Sequence, residues 1–231
     1  MRLNLKRLKY LTFDCYGTLI DWETGILSVL RPMLARRGIE ATPQAILHLY
    51  GEFEAQAERG PYRKYRKVLE QVVADFGARM GFEPTAEERG ALAASLPGWK
   101  EFPGTTPELR KLAERYQLAI ISNIDNDLFA ATARQLQAPF RTVVTAEHAR
   151  SYKPEQRHFE LALERLGAQP EEVLHVAESL YHDIAPAQAM GWRCAWVNRR
   201  RPGEFGATPG VDCRPDVEVA NLKSLLERVL K

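Results

Sequence analysis

A doubly wound parallel α/β sheet, interrupted after its first strand by an all-helical segment, is the fold class this sequence predicts. Three observations carry it. Short apolar and β-branched runs at 8–13, 118–121, 141–145, 173–176 and 194–197 alternate with stretches of helical period, the pattern of a parallel sheet covered by helices. Several of those runs end on polar residues, where open α/β sheets place their chemistry. Between the first run and the second, about eighty residues show helical periods and no convincing strand, too many for a simple βαβ crossover. Residues 21–100 are therefore read as an inserted helical domain, with 1–20 and 101–231 as the sheet core.

Each element has a local reason. The first strand runs through Leu11, Thr12 and Phe13, and Gly17 and Thr18 turn the backbone just after Asp14. Asp21–Arg37 reads as a helix capped by Asp21 or Thr24, with Ile26, Val29, Leu30, Met33 and Leu34 on one face and Gly38 as its stop. Thr42-Pro43 starts a second helix with proline at the first helical position, striped by Ile46, Leu49, Tyr50 and Phe53 and broken by Gly60-Pro61. Tyr65, Val68, Leu69, Val72, Val73 and Phe76 give a third, and Pro84-Thr85 opens a fourth that closes at Pro97-Gly98.

The alternating pattern then resumes. A helix through Leu109 and Leu112 leads to the strand Leu118–Ile121, which ends at Ser122-Asn123; a helix at Asn126–Leu136 and the strand Arg141–Thr145 follow. Pro154 opens the next helix, Val173–Val176 is a strand, Asp183–Met190 a helix, and Cys194–Val197 a strand. Residues 201–216, rich in Gly and Pro, read as a long loop, and Leu222, Leu225, Leu226 and Val229 stripe a terminal amphipathic helix.

Composition excludes several classes of function. Thirty-two Lys and Arg stand against thirty Asp and Glu, so no bulk charge draws the chain to nucleic acid, and the local excesses at Tyr62–Lys67 and Arg199–Arg201 read as solvated faces. No run approaches eighteen apolar residues and the amino terminus lacks an apolar signal region, which points to neither membrane nor export. Cys15, Cys194 and Cys213 have no close pairing and no metal-ligand spacing; free thiols in a reducing cytoplasm are the simplest reading.

Polar groups fall at or just beyond four of the strand ends: Asp14, then Ser122 with Asn123, then Lys153, then Glu178 with Asp183. In a doubly wound sheet these ends converge on one crevice. There a carboxylate nucleophile would be held ionised by Lys153, Ser122 and Asn123 would donate to a substrate anion or leaving group, and the second carboxylates would bind a metal or activate water. Each residue also has a plainer reading, as a turn acceptor, a helix cap or a first-turn acid favoured by the helix dipole. Together they are harder to explain that way.

The motifs resemble those of the haloacid dehalogenase superfamily: a hydrophobic strand followed by Asp14-Cys15-Tyr16-Gly17-Thr18, the strand ending at Ser122-Asn123, Lys153-Pro154, and the acidic motif Val176-Ala177-Glu178-Ser179 with Asp183. The resemblance implies a Rossmann-like core with a four-helix cap and a covalent ester on Asp14. Superfamily phosphatases generally carry a second Asp two residues after the nucleophile, to protonate the leaving alcohol; here that residue is Tyr16. Asp-x-Tyr-Gly-Thr is similar to the L-2-haloacid dehalogenases, whose halide leaves without a proton.

By that resemblance Asp14 displaces halide from C2 of a small L-2-haloalkanoate with inversion, and water hydrolyses the ester to a 2-hydroxy acid. Thr18 and Lys153 position Asp14, Ser122 holds the substrate carboxylate, Asn123 lines the halide cradle, Cys15, Tyr16 and Ser179 border the substrate, and Glu178 and Asp183 handle the hydrolytic water. No cofactor is required, and a homodimer through the cap helices is an expectation of the resemblance alone.

Departures from the pattern keep alternatives open. Gly51 stands where the dehalogenases place a cap Arg, with Arg59, Arg63 and Arg66 as nearby substitutes. Glu178 occupies the place of a phosphatase Mg²⁺ ligand, so Asp14, the Tyr16 carbonyl and Glu178 define the site of an alternative, Mg²⁺-dependent phosphatase of a small metabolite. A third reading is a catalytically idle relative that only binds. His182 enters as a candidate proton shuttle, and Trp22, Tyr50, Phe53 and Trp99 as candidates for an apolar pocket wall.

Overall fold

The computed structural model describes residues 5–199 and 211–230. Six strands form one sheet, β1 (Tyr10–Phe13), β2 (Gln117–Ser122), β3 (Phe140–Thr145), β4 (Val173–Ala177), β5 (Arg193–Val197) and β6 (Val217–Val219), in the order β3-β2-β1-β4-β5-β6. Every neighbouring pair is parallel. The three-residue β6 is absent from the sequence reading, being too short to show a period. The expected loop at 201–216 lies mostly outside the described residues; its described end, 211–216, has no regular structure before β6.

Strand alternation sorts the core into two layers. Leu11, Phe13, Leu118, Ile120, Leu174 and Val176 face one side. There α5 (Thr105–Ala113), α6 (Asn126–Leu136) and α10 (Leu222–Val229) cover them with Leu109, Leu112, Phe129 and Leu225. Ala119, Ile121, Val173 and Ala177 face the other, under α8 (Arg157–Leu166) and α9 (Ala185–Ala189), which supply Phe159, Ala162 and Ala187. A single turn, α7 (Ala146–Ala149), follows β3.

Four helices occupy the segment after β1: α1 (Trp22–Ala35), α2 (Pro43–Ala57), α3 (Tyr65–Met80) and α4 (Ala86–Ser95). The caps follow the sequence. Asp21 accepts from the Thr24 amide at 3.2 Å, Thr42 accepts from Ala45, and Thr85 and Glu88 form a reciprocal capping box. Helix α1 lies close against a tryptophan: a Cβ added at Gly25 would collide with the Trp99 indole, which is why a helix interior tolerates glycine there. The segment enters and leaves through paired linkers, since the Asp21 amide donates to Lys100 O at 2.8 Å and Phe102 donates to Leu19 O at 2.9 Å.

One element differs in kind from its expectation. The helix read at Asp183–Met190 begins earlier, as a π-helical turn at Leu180–Ile184, and only then becomes α9. Its wider winding puts Ser179, His182 and Asp183 together at the end of β4. No helix among the described residues is long and apolar enough to cross a membrane.

Candidate active site

Asp14 follows the last residue of β1, and its amide donates to Val176 O at 3.0 Å, continuing the β1–β4 pairing one residue past the strand. Gly17, at φ +95°, then turns the chain through a conformation open to glycine, and Thr18 comes back beneath the carboxylate. Its hydroxyl donates to Asp14 Oδ2 at 2.7 Å and accepts from the Glu178 amide at 2.9 Å. Thr18 thus couples the β1 and β4 loops and fixes the rotation of the Asp14 side chain.

Lys153 approaches from the other side. Its ammonium lies 2.9 Å from Asp14 Oδ1, 2.7 Å from Asp183 Oδ1 and 3.1 Å from Ile121 O. All three donors are used on a side chain only 2% exposed. Asn123 fixes the Lys153 backbone from both ends, accepting from its amide at 2.8 Å and donating to its carbonyl at 3.2 Å. Burial alone would lower the Lys153 pKa, but Asp14 and Asp183 outweigh it and raise it. Burial pushes the Asp14 carboxyl up, against the pull of Lys153 and Thr18. For Asp183 the balance reverses: burial raises it, yet Lys153 and His175 bring it down to about 2.

His175 is a site residue that sequence reasoning missed. It is fully buried in the middle of β4, with Nε2 at 2.9 Å from Asp183 Oδ1 and Nδ1 at 2.9 Å from the Thr12 hydroxyl of the neighbouring strand. Phe159 and Trp192 stand edge-on to its ring. One signal was available: a histidine at the centre of an otherwise apolar strand needs buried partners on both nitrogens.

A small cavity of about 50 Å³ opens over Asp14. Tyr16, Ser122, Asn123, Lys153, Glu178 and Asp183 all border it, as do Ser179 and His182, so the polar residues expected at the strand ends do share one crevice. Ser179 Oγ lies 3.2 Å from His182 Nδ1, and burial lowers the His182 pKa to about 4. Cys15 is not among them. Its side chain is fully buried in the core and its carbonyl accepts from Leu19 and Ile20, so it shapes the turn rather than touching the cavity. Tyr16 borders the cavity with its ring, but its hydroxyl turns away to Thr132 at 2.8 Å.

The wall facing Asp14 comes from the helical segment, and most of it escaped the sequence reading. Trp22, Glu54, Glu58 and Tyr65 form it. Trp22 was an expected lining residue; Phe53 packs on Phe76, and Trp99 stands edge-on to Tyr16 beneath α1, both as core. None of the three expected arginine substitutes borders the cavity. Arg63 donates to Ala57 O at the end of α2, Arg66 pairs with Asp125 and Asp127, and Arg59 lines a neighbouring groove. The acids at 54 and 58 carried a weak signal, lying one turn apart beside the apolar stripe of α2.

Comparison with known proteins places this arrangement. A family model described as haloacid dehalogenase-like hydrolase matches residues 8–191. Haloacetate dehalogenase H-2 of Moraxella sp. (strain B) is 25% identical over 213 residues, covering 89% of this chain and 93% of its own. The 5-amino-6-(5-phospho-D-ribitylamino)uracil phosphatase YigB of Escherichia coli (strain K12) is 27% identical over 241 aligned positions, 96% of each chain. The solved structure of L-2-haloacid dehalogenase from Xanthobacter autotrophicus superposes with a TM-score of 0.82 at 22% identity, covering 96% of this chain and 98% of its own.

Proposed function

Since the chain belongs to the haloacid dehalogenase-like hydrolases, we propose that it hydrolyses small L-2-haloalkanoic acids through an aspartyl ester on Asp14. The observation that carries this reading is the Tyr16 hydroxyl, bonded to Thr132 instead of facing the cavity. Burial holds the phenol pKa well above its usual value. An alcohol leaving group needs a proton from a positioned acid, whereas halide leaves as a stable anion. A site with no acid at that position suits halide. The haloacid dehalogenases among the relatives support the same choice.

In this reading the Asp14 carboxylate attacks C2, the C2–halogen bond breaks with its electron pair leaving on halide, and the carbon inverts. Thr18 and Lys153 hold the nucleophile in line. The Ser122 hydroxyl, which has no partner among the described residues although the residue is 1% exposed, takes the substrate carboxylate with Asn123. Water then adds to the Asp14 carboxyl carbon, giving a proton to Asp183 or Glu178, which passes it to the departing 2-oxygen as the acyl C–O bond breaks. The 2-hydroxy acid leaves and Asp14 is restored. His175 serves by fixing Asp183. The reaction runs in the cytoplasm, where the three thiols stay free.

A second reading, a phosphatase of a small metabolite, is favoured by Glu178 beside Asp14 and by the Escherichia coli relative. In that reading Asp14, the Tyr16 carbonyl and Glu178, which border one cavity, would hold a Mg²⁺, and the ion would share Asp14 with Thr18 and Lys153. No step is routed through a metal. The test is paired release of halide and phosphate from 2-chloropropionate, fluoroacetate and a generic phosphate ester, with Mg²⁺ and with EDTA. EDTA-insensitive halide release is expected. Phosphate release abolished by EDTA, with no halide, would replace the first reading by the second.

A further inference from the structure

The cavity wall opposite Asp14 is built as a receptor for a hydrogen-bond donor. Glu54 is 8% exposed. One of its oxygens, Oε1, accepts from both the Tyr50 and Tyr65 phenols, at 2.8 and 2.5 Å. The phenols themselves lie 3.1 Å apart, so the three side chains lock one another and fix the carboxyl plane. Oε2 has no partner among the described residues, and the side chain borders the cavity. This oxygen is open to the cavity and is not one of the fully buried unpaired atoms, so a ligand that excludes water from it must replace the hydrogen bond that water would make. One turn on, Glu58 borders the same space, met only by the Asn123 amide at 3.5 Å.

The charges around the cavity sharpen the point. Lys153 is the one cationic side chain bordering it among the described residues, and Asp14, Asp183 and the Ile121 carbonyl take all its donors. An alkyl group against Glu54 would seal its free oxygen away from water with nothing in exchange. A hydroxyl or ammonium would satisfy it. We infer that Glu54, seconded by Glu58, selects substrates that carry a hydrogen-bond donor on the carbon next to the reacting one. Within the haloacid reading, on which this rests, the preferred substrate is a 2-haloacid with a 3-hydroxyl or 3-amino group, in place of a simple alkyl haloacid. The locked Tyr50–Glu54–Tyr65 triangle makes the acceptor rigid, so selectivity needs no rearrangement of the wall.

The experiment compares halide release from L-2-chlorobutyrate, 2-chloro-3-hydroxypropionate and 3-amino-2-chloropropionate by the wild-type protein, Glu54→Gln and Glu58→Gln. The expected result is that kcat/KM for at least one donor-bearing acid exceeds that for chlorobutyrate by about tenfold or more, the worth of one hydrogen bond to a charged group. The hydroxyl and amino arms tell which donor is read. In Glu54→Gln the preference falls to within about twofold, the change lying in discrimination; Glu58→Gln, at the cavity edge, reduces it less and supplies the test if Glu54→Gln fails to fold. Equal use of all three acids by the wild type, or a preference that survives both substitutions, overturns the inference while leaving the dehalogenase intact. If no acid releases halide, the haloacid reading fails separately. Calorimetric binding of 2,3-dihydroxypropionate against 2-hydroxybutyrate then decides: tighter binding of the former, lost in Glu54→Gln, sustains the receptor, and equal binding overturns it.

Discussion

The floor and the wall of the cavity are built on opposite principles. On the floor, at the strand ends, the charged groups around Asp14 are matched: Asp14 has Lys153 and Thr18, Asp183 has Lys153 and His175, and Lys153 spends all three donors. In the wall, Glu54 on α2 keeps one oxygen open and Glu58, just past α2, has a single long hydrogen bond among the described residues. A saturated network holds geometry, which a nucleophile needs. An unsaturated one waits for a ligand. In the proposed reading, catalysis and selection are divided between the sheet and the helical segment.

The sharpest way to break the comparison is at the floor's centre. Asp14→Asn keeps size and shape but removes the nucleophile, and turnover of whichever ester or halide the enzyme accepts should fall by about a thousandfold or more. Residual activity near the wild-type level would move the covalent step off Asp14. Lys153→Met comes next. It leaves Asp14 and Asp183 buried without their shared cation, and the loss of stability should reach about 3–5 kcal/mol, seen as a lower denaturation midpoint. A loss below about 1 kcal/mol would show that the two carboxylates share a proton without needing the lysine.

The two principles meet at Asp125, which belongs to the core yet caps a helix of the insert. Fully buried, it accepts from the backbone amides of Tyr65 and Arg66 at 2.8 and 3.1 Å, the first turn of α3. Tyr152 adds a hydrogen bond to Arg63 O at 2.8 Å. We propose that residues 21–100 move as a cap on the paired linkers, and that this latch holds the wall down over the floor. Asp125→Ala should cost about 1–2 kcal/mol, the value of a helix cap, and should raise KM more than it lowers kcat as the wall loosens. An unchanged KM would remove the latch.

These residues show how legible the sequence was. The succession of five core strands along the chain, the four inserted helices with the start signals of three of them, and the placing of Asp14, Ser122, Asn123, Lys153, Glu178 and Asp183 in one crevice could be read, the last because strand ends in a parallel sheet must converge. What could not be read depends on which side of a helix meets a distant strand. Glu54 on α2 and Glu58 just past its end give only a weak signal in the sequence, because nothing local says that they border the cavity at the strand ends. Asp125 looks like an ordinary cap of α6, and nothing local says that it reaches α3. His175 shows itself in the sequence only as a polar residue within an apolar strand; its partners Thr12 and Asp183 are set by register across β1 and around the π-helical turn.

A smaller effect separates the two chemistries directly. Tyr16→Phe deletes the hydroxyl bonded to Thr132 and should cost about 1 kcal/mol of stability while leaving halide release within about threefold. Loss of activity by a hundredfold would mean that the phenol reaches the reacting atoms and would weaken the argument for a proton-free leaving group.

The smallest effect concerns how the helical segment is fastened to itself. Glu88 on α4 receives Arg37 at 2.6 Å and Arg36 at 3.5 Å, both just past the end of α1, and these, with the Thr85 amide, bring its carboxyl down to about 2. A carboxyl lowered in the folded state stabilises above the ordinary glutamate range, and that contribution disappears as the pH falls from about 4.5 towards 2. The pair lies near the surface, so its worth is about 1 kcal/mol or less and declines with salt. Glu88→Gln keeps the cap on Thr85 but not the charge. The wild type should therefore be slightly more stable than the variant at pH 7 and low salt, with the gap closing both below pH 3 and in molar salt. The contrast with the floor is the point of the measurement: Lys153 and its carboxylates are closed to water, so added salt should leave their contribution in place while it erases that of Glu88. A salt-sensitive floor would mean that water reaches Lys153, and the division between a sealed catalytic network and a solvent-open fastening would fail.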